Sequence, residues 1–401
     1  MNPSPRRPRP DPEPSVSPAE AGLARLRVFF RKRGPTLKRF FIFLGILVLL
    51  LPSSAPASGT WHLFDESSVP ENLGFRVSEY TGTVTISFLG DCTLGGEEKS
   101  RNNKLGFVRR VRDSGLGFPL RYLSALTAHD DISVANLEGV LTDRRLEKVP
   151  KKYNFSGPAA YAEILSSGGI ECVTLANNHA RDYGEEGCQD TKRALTDEGI
   201  AFFSTDSMAV WENEEGLLIG FVGVFGSITG NRGKAFRRQM ECLKEMGCAA
   251  IIPVMHAGEE YIYTPSDPQK RIARLASSLG ATLLVGHHPH VVQGYDLVSG
   301  MPVVYSLGNC SFGGTTYARD SDALVLRAEL SFENSVLTGT VLHFYPISIT
   351  SDPKYNNYSP MFLSGRDAQR VLTKMEKSTG QPLGPFDEKE GAVITLPPAG
   401  E

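Results

Sequence analysis

The sequence predicts an α/β domain whose sheet is parallel at least in part, and three observations predict it. From Thr83 onward short apolar runs alternate with amphipathic stretches, the pattern of strand and crossover helix. These runs end repeatedly in polar residues: Asp91, Asn136 and Glu138, Asn178 and His179, His256, and Asn309. The third observation is ATLLVGHHPHVVQ, from Ala281 to Gln293, where an apolar run and Gly286 lead into His287, His288 and His290. Open α/β sheets hold their ligands at the C-terminal ends of strands, so these polar residues mark a candidate site.

Taken in order, residues 1–39 are rich in proline, serine and arginine and read as a disordered cytoplasmic tail. Basic residues Arg25, Arg27, Arg31, Lys32, Arg33, Lys38 and Arg39 precede FFIFLGILVLLL, Phe40 to Leu51. That run is shorter than the roughly 20 residues of a spanning helix, but continued to Ala57 it approaches them. Residues 40–57 therefore read as an export signal or anchor. Ala55-Pro56-Ala57 resembles a processing site, while the long lead favours an uncleaved, single-pass signal anchor. The positive flank stays inside, which leaves the rest of the chain extracytoplasmic at the cell membrane. Residues 58–82 read as a linker, 83–350 as the main domain and 351–401 as a C-terminal extension with one helix.

Within the domain TVTISFLG is a strand ending at Gly90 and Asp91, and DISVANLEG and IECVTLANNH are two more. Helical stretches near Pro119–Ala128, Ala159–Ser167 and Gln189–Glu198 separate and follow them. GLLIGFVGVF, AAIIPVMH and MPVVYSLGN are further strands, with helices expected over Arg237–Met246 and Pro268–Leu279. ALVLRAELSF and GTVLHFYPISI alternate, as an antiparallel pair does. Ser364–Lys377 has helical spacing, with Ala368, Val371, Leu372 and Met375 on one face and Ser364 and Asp367 as a partial capping pair.

Composition narrows the chemistry. A net charge of -3 and a pI near 6.3 give no general basic field, so nucleic acid is not an expected partner. The six cysteines show no C-x-x-C spacing, which excludes a zinc ribbon, and Cys242–Cys248 is a weak candidate pair. GNRGK at Gly230–Lys234 lacks the spacing and hydroxyl of a P-loop. Of eight histidines, five (His179, His256, His287, His288 and His290) stand at expected strand ends. On an extended backbone His288 and His290, two apart, share one side. Mixed oxygen and imidazole donors suit zinc, manganese or iron. Asp182, three residues after His179, can orient that ring or cap the next helix. Glu260 and Tyr261 follow His256 closely enough to reach a bound substrate.

The set GDCTLGG, NLEG, NNHARDYG, HAGEEY, GHHPHVVQ and YSLGN resembles the CapA family of bacterial poly-gamma-glutamate capsule synthesis proteins. That family is similar in turn to the calcineurin-like metallophosphoesterases. The resemblance, over about Thr83 to Pro346, implies a layered α-β-β-α sandwich behind the N-terminal membrane anchor. It implies one or two divalent ions held by Asp91, Glu138, Asn178, His256, His288 and His290, with Glu138 bridging. It makes His179 the catalytic acid with Asp182 behind it, and leaves Asn136, Glu260, Tyr261, His287 and Asn309 as substrate contacts. The partners it implies are an envelope polymer or capsule-synthesis membrane proteins. Two positions depart from the phosphoesterase pattern: Thr93 stands where a ligating histidine is usual, and Glu138 where aspartate is usual. The implied function is a metal-dependent hydrolase of capsule synthesis, with a non-catalytic assembly component as the alternative.

Overall fold

The computed structural model describes residues 59–65 and 78–396. The basic tail and the apolar run Phe40–Leu51 lie outside the described residues. Among the described residues no helix is long and apolar enough to cross a membrane.

The chain opens with β1 (Gly59–Asp65) and β2 (Gly82–Thr93), then α1 (Phe107–Ser114), α2 (Ser124–Thr127) and β3 (Ile132–Leu137). Two short strands, β4 (Val140–Leu141) and β5 (Ser156–Gly157), precede α3 (Ala162–Ser167), β6 (Cys172–Thr174) and α4 (Gly184–Asp197). Next come β7 (Ala201–Phe203), β8 (Ser207–Asn213), β9 (Leu218–Phe225), α5 (Asn231–Glu245), β10 (Ala250–His256) and α6 (Asp267–Ser278). The histidine strand β11 (Leu284–His287) leads to β12 (Val292–Val298), β13 (Met301–Leu307) and β14 (Asn309–Phe312). The chain closes with β15 (Asp322–Glu333), β16 (Val336–Ser348), β17 (Met361–Phe362), α7 (Gly365–Thr379), β18 (Phe386–Asp387) and β19 (Gly391–Leu396).

The strands form two mixed sheets and a small parallel pair, β4–β5. One runs β1-β8-β9-β10-β11-β13-β12; the other runs β18-β19-β16-β15-β2-β3-β6-β7, with β14 on β2 and β17 on β16. Ile86, Phe88 and Val134 of the second sheet share a buried core with Ile252, Val254 and Val285 of the first, so the sheets pack face to face. Leu89 and Val173 pack outward on Val111, Ile164 and Leu195 of α1, α3 and α4. Ile251, Met255 and Val303 pack outward on Met240 of α5 and Ile272 of α6. Because strands such as β10 are covered on both faces, they read as nearly continuous apolar runs rather than as alternation.

β9, β10, β11 and β13 are parallel, as are β2, β3, β6 and β7. The antiparallel pair β15–β16 stands as its alternation suggests. On α6, Ser266 and Gln269 form a full capping box. Ala368, Val371, Leu372 and Met375 are the buried face of α7, but Ser364 makes no side-chain cap there, and Asp367 is ion-paired with Arg370 instead.

Other expectations are corrected. Residues 59–65, read within a linker, form β1 and pair with β8 from Gly59↔Asn213 to Asp65↔Ser207. Residues beyond 350 are woven in, since β19 pairs with β16. The helix expected near Pro119–Ala128 is reduced to Ser124–Thr127, and α1 forms upstream of it. All six cysteines are free, so Cys242 and Cys248 do not pair.

Candidate metal centre

The parallel strands of both sheets end at one place. β2 delivers Asp91, the residue after β3 is Glu138, the turn after β6 carries Asn177 to His179, and β10 ends on His256. The loop after β11 carries His288 and His290, and β14 starts with Asn309 in register with Asp91. Gly286 is dictated by packing, since a Cβ there would stand 2.0 Å from the Tyr305 carbonyl oxygen. Spacing on an extended backbone is not what aims the two histidines. His288 has φ 99° and His290 φ 56°, left-handed conformations that cost about 1–3 kcal/mol each in a non-glycine residue. Their ring centroids nonetheless lie 6.1 Å apart, and the His288 ring is 4.7 Å from His256.

Two groups of ligand-type atoms converge, each within 4.8 Å: Glu138, His256 and His288, and Asp91, Glu138 and His290. They share Glu138, which is fully buried with neither carboxylate oxygen hydrogen-bonded. Around its Oε1 stand His256 Nε2 at 3.5 Å, His179 Nε2 at 3.9 Å and His290 Nε2 at 4.0 Å. Asn178 Oδ1 adds an oxygen 2.8 Å from His256 Nε2. Leaving a carboxylate buried without a donor is costly. The same oxygens, with imidazole nitrogens around them, form a donor set that a divalent ion fits.

Electrostatics follow from this crowding. Burial, with the charges of Asp91, Asp182 and Glu260, raises the Glu138 carboxyl to about 8 even against His290. Burial also pushes Asp91 up, but the imidazoles of His287 and His290, each 3.1 Å from one of its oxygens, outweigh it and hold Asp91 well below its ordinary value. Burial and the neighbouring imidazoles press His256 and His288 down. Burial opposes protonation of His290 too, yet Glu138 and Asp91 lift it to about 9.

The remaining sequence-selected residues divide. Asn136 is buried beneath the site, its Nδ2 2.7 Å from Asp91 Oδ1 and 3.2 Å from His256 Nδ1. His287 lies buried behind Asp91, with Nδ1 3.1 Å from Oδ1. Asn309 Oδ1 is 2.9 Å from His290 Nδ1 and fixes that ring. All three lie against proposed ligands and fix their side chains. Tyr261 is half-buried 6.2 Å from the His290 ring, with Glu260 exposed beside it.

His179 Nδ1 lies 2.7 Å from Asp182 Oδ2. Asp182 also accepts the Phe155 amide at 2.5 Å and is ion-paired with Lys151, so it serves His179 rather than capping α4. Lys151 donates to the Asn178 carbonyl at 2.7 Å, and the Phe155 ring lies 4.4 Å from His179. Asn177 donates to Asn136 Oδ1 and accepts the His179 amide. Lys151, Phe155 and Asn177 were not selected from sequence. The available signal was the asparagine doublet in LANNH and the lysine–aromatic run KKYNF.

The family described as bacterial capsule synthesis protein PGA_cap matches residues 85–208 and 205–313. The chain belongs to this family. "Capsule biosynthesis protein CapA" of Bacillus anthracis is 27% identical over 385 residues, spanning 89% of this chain and 86% of the relative. "PGA biosynthesis protein CapA" of Bacillus subtilis (strain 168) is 27% identical over 271 residues, 61% of this chain and 68% of the relative. The crystal structure of TT1561 of Thermus thermophilus overlays at a TM-score of 0.34 and 12% identity, over 61% of this chain and 94% of that chain. That overlay is too low to speak for a common fold. The family match takes in every proposed ligand from Asp91 to His290 and also Asn309.

Proposed function

We propose that the protein is a membrane-anchored, extracytoplasmic, metal-dependent hydrolase that takes part in poly-gamma-glutamate or capsule synthesis. In this reading its layered domain is of the calcineurin-like metallophosphoesterase type. The bond cleaved is a phosphoester, or an amide or ester of an envelope polymer. The observation that carries the reading is Glu138, a buried carboxylate with two unpartnered oxygens and three imidazoles at 3.5 to 4.0 Å. The names of the two Bacillus relatives support the capsule assignment.

Asp91, Glu138, Asn178, His256, His288 and His290 would hold one or two ions of manganese, zinc or iron. Bound there, the metal supplies Lewis acidity. His179, its Nδ1 fixed on Asp182, presents Nε2 to the site and delivers a proton to the leaving group. Asp182 sets the tautomer and the ring plane. Phe155 and Phe312, 4.4 Å from His179 and 5.0 Å from His290, keep water from the flanks of both rings.

The full chain, loaded in turn with each metal, should cleave a generic phosphodiester or a γ-linked glutamate oligomer and stop on chelation. Metal-loaded protein that turns over neither would sink the hydrolase reading. The alternative would then stand: a non-catalytic component of a capsule assembly or export complex, bound to capsule-synthesis membrane proteins. Thr93 favours that alternative, being buried, with an unpartnered hydroxyl, where a ligating histidine is usual.

A further inference from the structure

Beside the centre stands a feature that none of the metal-site residues accounts for. Tyr153, 40% exposed, stacks on Phe155 with ring centroids 6.3 Å apart, and Phe155 lies against His179. On the other flank Tyr261 lies beside His290. His179 and His290 bring their Nε2 atoms to 3.9 and 4.0 Å from the same Glu138 oxygen, so the two tyrosines lead to one centre. Each tyrosine carries a cation on its face. Lys152 Nζ is 4.8 Å from the Tyr153 centroid, and Arg319 Cζ is 4.8 Å from the Tyr261 centroid. Among the described residues neither cation is ion-paired with a carboxylate, whereas nearby Lys151 and Lys374 are paired with Asp182 and with Asp320 and Asp322.

An unpaired cation resting on an aromatic face is positioned without being neutralised, so its charge stays available to an anion. Two such pairs, one leading to the proposed proton donor and one to a proposed ligand, converge on the same centre. We infer that Lys152 with Tyr153 and Arg319 with Tyr261 form a substrate grip for a chain bearing carboxylates along its length. The two cations take carboxylates on either side of the reacting bond, and the tyrosine faces take the apolar backbone between them. The inference rests on the hydrolase reading for the purpose of the grip. Exposed Glu260 stands beside Tyr261 as a counter-charge and restricts where a carboxylate can settle.

The experiment is equilibrium binding of a fluorescent γ-linked glutamate oligomer to the full metal-loaded chain in detergent, at low and high salt. Controls are the same oligomer with its carboxylates amidated and an inorganic polyphosphate of equal charge. The acidic oligomer should bind, and Lys152→Ala with Arg319→Ala should weaken it by about tenfold, as two exposed ion pairs contribute, and flatten the salt dependence. Glu260→Gln should tighten binding, and metal content should not change in any of these variants. Unchanged affinity in the double variant, no binding by the wild type, or equal binding of the amidated chain would overturn the grip. Tighter binding of polyphosphate would overturn its carboxylate class. Wild type that binds the oligomer but cleaves neither it nor a generic phosphodiester would remove the hydrolase reading and leave the grip standing.

Discussion

His179 Nδ1 stands 2.7 Å from Asp182 Oδ2, and Asp182 is fully buried between the Phe155 amide and Lys151. A histidine so held is directed at one atom, Nε2, and that atom faces Glu138 across 3.9 Å.

His179 has no assigned bond to metal, so its loss separates catalysis from binding. His179→Ala should keep its metal, measured by plasma emission, while turnover falls by about 10² to 10⁴, the contribution of a positioned proton donor. His288→Ala or His290→Ala should lose metal and turnover together. Capsule function retained in full by His179→Ala with metal bound would point to the assembly-component reading.

Glu138 gives a test that needs no substrate. Glu138→Gln keeps the shape and removes a charge whose burial is unfavourable in metal-free protein. The metal-free variant should melt no lower than metal-free wild type. The rise in Tm that wild type shows on adding metal should vanish, because ligand-induced stabilisation follows affinity for the folded state. A variant that gains as much Tm from metal as wild type would exclude Glu138 from the ligand set.

Thr93 predicts unequal metal sites. It is buried on β2 two residues after Asp91, and its hydroxyl is unpartnered where an imidazole would complete the donors around Asp91. Dialysis against a mild chelator should leave one ion per chain and remove the other. Two ions retained in full, seen by anomalous scattering, would contradict this.

How much of this was legible in the sequence depends on the distance over which each feature is encoded. β10 and β13 are buried on both faces and read directly as apolar runs, and the residues at their ends follow once the strands are placed. The backbone of His288 and His290 was not legible, because a left-handed turn in a non-glycine residue is held by surrounding contacts and not by local preference. Lys151 and Phe155 lie in an irregular segment and reach His179 only across the folded molecule. β1 was hidden for another reason: it is an edge strand with four of its seven residues exposed, so no apolar period marks it.

The seven basic residues from Arg25 to Arg39, and none from Leu51 to Thr60, predict that the domain lies outside the cytoplasmic membrane. Protease added to intact spheroplasts should digest residues beyond Ser58. Full protection of that region would place the domain in the cytoplasm and exclude an extracytoplasmic site.

Glu171 offers a pH test far from the metal ligands. Its carboxylate accepts the Ser133 amide at 2.7 Å, but burial, the larger effect, raises its pKa from 4.5 to about 7. An acid whose pKa is higher folded than unfolded makes the native state bind more protons, so stability declines as pH rises between those values. Below pH 4.5 the carboxyl is neutral in both states and the penalty is absent; above about 7 it is complete. Glu171→Gln keeps an oxygen for the Ser133 amide and removes the charge. It should therefore stabilise the protein at pH 8 by about 3 kcal/mol, the equivalent of the raised pKa. The gain should shrink towards zero near pH 4.5, measured by urea unfolding at each pH. A gain independent of pH would show that packing, not the buried charge, sets the stability at this position.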